Sequence, residues 1–256
     1  MTDMIICGIG GKMGANLLNA LSEHPDVRCV GGIDAYADPS KFSVPVFAKP
    51  SDINVSADVV IDFSRPEALD GLLEYAQRTG TALLLATTGY SAAQLDAIEA
   101  ASEKVAIFRS SNMSLGINLL IGLAKKAAAF LGDNFDIEII ETHHNRKVDS
   151  PSGTALAIAE GLLEEKPGFE LTFGRHGGDT RRAHNEIGIH AVRGGTVVGR
   201  HEVGFYGDDE VVTIAHEAHS KAVFAHGALK AATFLKGKAP RMYSMDDVIA
   251  EMMPRS

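Results

Sequence analysis

The stretch MIICGIGGKMGANLLNALSEHPDVRCVGGID, Met4 to Asp34, passes from an apolar run through a glycine turn and a helical pattern to a second apolar run. Leu17, Leu18 and Leu21 share one helical face, and Pro25 lies just past the helix end. The period switches from strand to helix and back, as in the βαβ unit that opens a parallel sheet. Gly8, Gly11 and Gly14 make a G-x-x-G-x-x-G turn with an extra Gly10. Such a turn lets backbone N–H groups approach a pyrophosphate at the helix N-terminus, where unpaired donors and the helix dipole favour an anion. Asp34 ends the second strand, where an acid about 20 residues beyond the turn can bind the ribose hydroxyls of a dinucleotide. Asp34 favours NAD, whereas Lys12 can reach the 2′-phosphate of NADP, and Ala35 rather than an arginine follows Asp34. The expectation is use of both NADH and NADPH, with NADH at least as good.

The alternation continues with ADVVIDFS, PEALDGLLEYAQRTG closed by Gly80, ALLLATTG, SAAQLDAIEAASEK and VAIFRSSN, which predicts an α/β fold with a mostly parallel sheet. After the helical pattern SLGINLLIGLAKKAAAFLG the texture changes. Phe135, Ile137 and Ile139 alternate with Asp136 and Glu138, as in a half-exposed strand. One helix, TALAIAEGLLEE, and the segments EIGIHAVRG, TVVGRHEVGFYG and DEVVTIAHEA then predict a mixed α+β domain with an antiparallel sheet. The tail returns to helix with VFAHGALKAATFLKG and, behind Ser244 and Asp247 as a capping-box pair, MDDVIAEMM. These last helices are expected to pack on the first domain. The fold class is therefore α/β, an N-terminal Rossmann-like doubly wound parallel sheet (1–113 and 222–256) with an inserted α+β domain (114–221).

Composition narrows the function. The chain has 256 residues, 45% hydrophobic and 22% charged, enough for one large core or two modest ones. With 33 acidic against 24 basic residues the net charge is -9, which disfavours a nucleic-acid partner and favours a small one. Cys7 and Cys29 sit in apolar runs and read as buried thiols. No run approaches the roughly 20 apolar residues of a membrane span, and Asp3 leads straight into a strand rather than a signal peptide, so a cytoplasmic location is expected.

Against this acidic background stands ETHHNRKVDSPSGTA, Glu141 to Ala155. His143 and Lys147 are four apart and share a face in a strand or a helix; in an extended chain Asn145 joins them while His144 and Arg146 point away. Neighbouring cations push a histidine towards its neutral form, and a bound dianion would restore the proton. PSGTALAIAEGLL then starts a helix, with Ser152 or Thr154 near the N-cap and Gly153 permitting close approach, which makes a carboxylate site beside Lys147. A solvated basic face has no use for adjacent histidines followed by PSGT. A metal site lacks His-Glu-x-x-His spacing and a nearby cysteine, and Lys147 would repel the cation. An oligomer contact stays open.

EIIETHHNRKVDSPSGTA resembles the signature of the 4-hydroxy-tetrahydrodipicolinate reductase family, and GIGGKMG, VVIDFSRPE, LATTGY, SSNMSLGIN and EIGIHAVRGG follow its other motifs in order. The resemblance implies an NAD(P)H-dependent oxidoreductase of the diaminopimelate route to lysine. It would transfer hydride to C4 of a cyclic unsaturated dicarboxylate, with loss of a hydroxyl as water. It further implies that His143 is the general acid and Lys147 its partner, with His144, Ser152, Gly153 and Thr154 holding the substrate carboxylates. Gly8, Gly10, Gly11, Lys12, Met13, Gly14 and Asp34 would take the adenosine and pyrophosphate side of the cofactor. Ala86, Thr87, Thr88 and Gly89, with Ser111, Asn112 and Met113, would line its nicotinamide side, and Phe63, Ser64 and Arg65 would also bind the cofactor. The first domain would bind the dinucleotide, and the second would bind substrate and build a homotetramer; the two-domain plan itself predicts closure around the substrate. No metal is implied. Many family members have arginine at Lys12, glycine at Ala86, phenylalanine at Met113, and arginine-histidine at Asn145 and Arg146; none of these differences touches His143 or Lys147.

Two other classes fit the sequence less well. A dehydrogenase of a polyol or hydroxy acid commonly has a Glu-Lys-Pro motif, and AKP at Ala48 to Pro50 comes too early; a semialdehyde dehydrogenase needs a nucleophilic cysteine in the second half, which holds none. A dinucleotide sensor that controls transcription needs a helix-turn-helix or a basic patch, and neither is present.

Overall fold

β1 (Thr2–Cys7) runs into the glycine turn and α1 (Lys12–Ala20) leaves it, in a computed structural model that describes residues 1–178 and 180–252. The helix is shorter than its sequence pattern, because a 3-10 turn, Leu21–Glu23, tightens its end ahead of Pro25. β2 (Val27–Ile33), a two-residue β3 (Val46–Phe47), β4 (Val59–Asp62), β5 (Ala82–Leu85) and β6 (Ala106–Arg109) all pair in parallel, in the order β6-β5-β4-β1-β2-β3. β3 has no period-2 pattern and was not anticipated. α2 (Leu69–Thr79) ends at Gly80, whose φ of 74° supplies the left-handed C-cap, and α3 (Ala92–Ser102) starts at a Ser91/Gln94 capping box. Both faces of this sheet are buried. Met4, Ile6, Val59 and Ile61 enter one core layer and Ile5, Cys7, Val60 and Leu83 the other, which is why these strands read as continuous apolar runs.

The chain divides into two compact units, residues 1–115 with 222–256 and residues 116–221. The boundary falls two residues later than the one expected at 113/114. α4 (Leu115–Leu131) and α5 (Gly153–Glu165) lay Leu120, Ala124, Ile158 and Leu162 on one face of the second unit's sheet. Ile137 and Ile139 of β7 (Asp136–His143), Ile187 and Ile189 of β9 (Glu186–Arg193), and Val203 and Phe205 of β10 (Gly199–Tyr206) meet them there. β8 (Glu170–Phe173), also unanticipated, forms one edge and β11 (Val211–Ala218) the other, in the order β11-β10-β7-β9-β8. The expected antiparallel sheet is in fact mixed. β10 runs antiparallel to β7 and β11, but β9 is parallel to both β7 and β8: α5 carries the chain back between β7 and β8, and a second return precedes β9. By length and composition Leu115–Asn134 would suit a membrane span, contrary to the sequence reading; Leu120, Ala124 and Ala128 within it are buried on the sheet.

After residue 221 the chain completes the first unit. α6 (Ala222–Leu235) buries Ala225, Ala228, Leu229, Ala232 and Leu235 in the core layer that holds α1, and β12 (Arg241–Tyr243) adds a seventh parallel strand beside β6. α7 (Met245–Met252) begins at Ser244, whose amide donates to the Asp247 carboxylate at 2.8 Å. Met253 of the expected helix and residues 254–256 of the expected domain lie outside the described residues.

Candidate active site

The first unit gathers every residue expected to face a dinucleotide at the carboxyl ends of its parallel strands. β1 has β2 on one side and β4 on the other, so the strand order reverses at the glycine turn, where open α/β sheets bind ligands. Gly8 has φ +81°, and a Cβ at Gly14 would lie 2.3 Å from the Ile9 carbonyl oxygen. Only glycines permit this cradle, and Gly11 caps α1 without a side chain. Asp34 braces it: Oδ2 accepts from the Gly10 amide at 3.0 Å, and Oδ1 accepts from the Tyr36 and Ala37 amides at 2.9 and 3.2 Å. Lys12 is exposed beside the turn, and Met13 is half-buried against the core. These residues fit the pyrophosphate and ribose of a dinucleotide.

The other expected cofactor residues follow β4, β5 and β6. Phe63, Ser64 and Arg65 leave β4, Ala86 to Gly89 leave β5, and Ser111 to Met113 come two residues beyond β6. Met113 is buried at 2% in the core, so its side chain supports the loop from beneath. Asp62 was missed. Fully buried at the end of β4, it accepts from the Ser64 amide (3.0 Å), the Ser64 hydroxyl (2.5 Å) and the Tyr90 hydroxyl (3.2 Å), tying two of these loops together. Burial and the Asp62 charge push the Cys7 thiol up, so it stays protonated.

In the second unit His143 ends β7, and the next residues are neither extended nor helical. A turn follows, in which the Lys147 amide donates to the His144 carbonyl (3.1 Å), while the His144 and Asn145 amides donate to the carbonyls of Val197 and Gly195. The predicted grouping by alternation, with Asn145 beside His143, therefore does not hold. Asn145 and Arg146 are exposed. Lys147 folds back to within electrostatic range of His143, and its Nζ lies 2.9 Å from Asp149. The Lys147 ammonium, opposed by desolvation, holds the Asp149 carboxyl below its ordinary range, and the Gly153 amide adds to this.

Ser152 is the N-cap of α5, its hydroxyl accepting from the Ala155 amide at 3.1 Å. That hydroxyl also meets His201 Nε2 at 3.0 Å, and the Ser152 amide donates to Glu141. Only 1% exposed, Ser152 shapes the helix end rather than presenting a free hydroxyl. Gly153 is exposed and Thr154 half-buried, at the start of α5.

β7 alternates buried and half-buried residues along its whole length, so the face carrying Ile137 and Ile139 goes on to Glu141 and His143. Glu141 has no exposed surface. Its Oε2 lies 2.6 Å from His143 Nδ1 and 2.7 Å from Arg193 Nη1, while Oε1 accepts from Arg193 Nη2 at 2.7 Å and the Ser152 amide at 3.0 Å. Burial raises the Glu141 pKa, but Arg193, His143 and the Ser152 amide outweigh it and leave it below the usual carboxylate range. His143 moves down, chiefly through burial, with Glu141 opposing and Lys147 and Arg193 adding to the drop. The direction matches expectation, but desolvation rather than neighbouring cations leads. His201, set edge-on to the His143 ring at 5.1 Å, is pushed down to about 4 by burial and by His143.

Two family models match the chain: "Dihydrodipicolinate reductase, N-terminus" over residues 2–113 and "Dihydrodipicolinate reductase, C-terminus" over 116–249. The chain belongs to the dihydrodipicolinate reductase family. It is 48% identical over 250 residues to a 4-hydroxy-tetrahydrodipicolinate reductase of Caldanaerobacter subterraneus subsp. tengcongensis, covering 97% of this chain and 98% of that one. A relative of the same name from Clostridium novyi is 47% identical, with the same coverage. Among solved structures, a dipicolinate-bound dihydrodipicolinate reductase from Paenisporosarcina sp. TG-14 superposes with a TM-score of 0.79 at 23% identity, over 95% of this chain and 97% of that chain. A myo-inositol dehydrogenase from Corynebacterium glutamicum shares the fold more distantly, with a TM-score of 0.57 at 12% identity over 98% of this chain and 93% of that chain.

The sequence reading missed Glu141, Arg193, Gly199 and His201. The signal for Glu141 was the period-2 pattern itself, continued past Ile139 to an acid on the apolar face. Arg193 lies near the end of the quoted motif EIGIHAVRGG, opposite His143 in the parallel β7–β9 register. Gly199 matters through what it lacks, since a Cβ there would come within 3.0 Å of His143 Nε2.

Proposed function

We propose that the chain reduces 4-hydroxy-tetrahydrodipicolinate to tetrahydrodipicolinate, with loss of water, in the diaminopimelate route to lysine. The observation that carries this reading is the convergence of buried His143, Lys147 and the start of α5 within one family-matched unit. A bound reduced nicotinamide supplies the hydride. Lys147 and the amides of Gly153 and Thr154 bind the substrate carboxylates, with His144 beside them. Lys147 then exchanges its internal partner, Asp149, for the ligand. A dianion offsets the positive field of Lys147 and Arg193, so His143 gains its second proton as substrate binds. His143 then delivers that proton to the ring as negative charge develops, a contribution of about 10²–10⁴-fold for a well-placed acid.

The glycine cradle and Asp34 support use of NADH, and exposed Lys12 supports NADPH as well, with NADH at least as good. The second unit's sheet has its helices on one face and leaves Val192, Tyr206 and Val211 exposed, which supports assembly into a homotetramer through that unit. The enzyme would work in the cytoplasm.

The test follows NADH and NADPH absorbance while the dicarboxylate is made in situ from pyruvate and aspartate semialdehyde. Oxidation only with all components present is expected. His143→Gln and Lys147→Ala should each lower turnover at least about 10²-fold with cofactor affinity nearly intact. No oxidation by folded protein that still binds NADH, or equal loss of cofactor affinity in the variants, refutes the reading.

A further inference from the structure

Glu141 lies two residues before His143 on one strand face, so the pleat of β7 fixes the distance between the two side chains. At 2.6 Å, Oε2 and Nδ1 need a proton between them, because two lone pairs would repel. That proton belongs to the imidazole: Glu141 is fully buried yet held ionised by both Arg193 guanidinium nitrogens and the Ser152 amide. Arg193 is itself fixed, through Nη2 on the Asp149 carbonyl at 2.7 Å. The opposite ring nitrogen, Nε2, faces Gly199, where a Cβ would come 3.0 Å from it. His201 stands edge-on to the ring and limits its tilt.

We propose that Glu141 is the positioning residue that holds the His143 proton on Nδ1 and so reserves Nε2 for the proton delivered to substrate. This rests on the function proposed above. Neutral His143 with its proton on Nδ1 takes up a second proton at Nε2, donates it to the ring as hydride arrives at C4, and returns to the same tautomer. In the net reaction the hydroxyl leaves as water, one hydride and one proton are added to the ring, and the cofactor leaves oxidised. With its proton on Nε2 the ring would set a bare Nδ1 against the Glu141 carboxylate and, unless Nδ1 were protonated first, could donate only by becoming an imidazolate. The arrangement follows the logic by which a buried carboxylate fixes imidazole orientation in hydrolase triads, here with a guanidinium behind the carboxylate. The groups that set the proton affinity of His143 are Glu141 on its own strand, Lys147 in the following turn, Arg193 on β9 and His201 on β10.

The decisive measurement is ¹⁵N NMR of histidine-labelled protein without substrate, with the His143 signals assigned by their loss in His143→Gln. The expected result is a protonated Nδ1 and an unprotonated Nε2 at pH 7.5. An Nε2-protonated ring in the native protein overturns the proposal without recourse to any variant. In Glu141→Gln the tautomer preference should weaken, kcat should fall on the order of 10²-fold, and the alkaline limb of the kcat–pH profile, where His143 loses its second proton, should move to lower pH. KM for the nicotinamide cofactor should stay within about twofold. Unchanged kcat and profile in folded Glu141→Gln also overturn the proposal. If native protein does not turn over the dicarboxylate, the function proposed above fails, while the NMR result still reports on Glu141 and His143.

Discussion

Replacing Arg193 with alanine removes two charge-assisted hydrogen bonds, both 2.7 Å, from a carboxylate with no solvent exposure. What remains around Glu141 is the Ser152 amide and the His143 ring, neither carrying a full positive charge when His143 is neutral. Breaking a buried pair from one side costs roughly 3–5 kcal/mol. The Arg193 side chain is 21% exposed, so water can enter its place and the lower end, about 3 kcal/mol, applies. The loss also has a pH signature. In the native protein the Glu141 pKa is depressed, so its contribution is present above the unfolded carboxyl value of about 4.3 and fades as pH falls through the lower, folded value. In Arg193→Ala, burial is no longer offset and the pKa rises, so protonation relieves the penalty as pH falls. Urea unfolding followed by circular dichroism should therefore show a gap of about 3 kcal/mol at pH 7.5 that narrows by pH 4.5. Hydrogen exchange at β7 amides would locate it. A loss under about 1 kcal/mol, or one that does not change with pH, would refute the view of Glu141 as a buried anion dependent on Arg193.

Gly14→Ala places a methyl 2.3 Å from the Ile9 carbonyl oxygen and must open the turn; NADH affinity should drop at least about tenfold, a loss of ~1.4 kcal/mol, and an unchanged fluorescence titration would contradict the cradle. Asp34→Ala removes the acceptor of the Gly10, Tyr36 and Ala37 amides, so kcat/KM should fall more with NADH than with NADPH, and an equal fall would count against Asp34 as the ribose ligand. His24 Nε2 lies 3.0 Å from His226 Nδ1, and burial and that neighbour depress the His24 pKa. Stability should be full above the unfolded value of about 6.5 and decline as pH falls through the lower folded value. His24→Phe should flatten that slope in urea titrations from pH 7.5 to 5.5, and an unaltered slope would remove this pair as its source.

Elements with a strong period were legible without coordinates. β1, α1 and β2 follow from an unbroken apolar run, a leucine face and three spaced glycines, each a local signal. β3, β8 and β12 are two to four residues long and have no room for a pattern. The mixed sheet was hidden for another reason: strand direction depends on how far the chain travels between strands, and β9 reads the same in either direction. At the site, the histidine and lysine stood out as unusual residue types in an unusual place. Glu141 did not, because an acid in a strand is ordinarily assigned to the wet face, and only counting by twos from Ile137 puts it inside. Arg193 and Gly199 reach His143 through strand pairing across distant parts of the sequence, which no local window contains.

The interruption of the first unit by the second sets an order for events at the ribosome. The core layer over α1 lacks Ala225, Ala228, Leu229 and Leu235 until α6 emerges, after the roughly one hundred residues of the second unit. At about 5–20 residues per second, that delay is on the order of 5–20 s. During it Leu17, Ile6 and Ile61 lack their helical cover, while the second unit is already free to fold. The nucleotide-binding half is therefore begun first and finished last, and a chain truncated before residue 222 would carry a complete second unit beside a first unit that lacks α6.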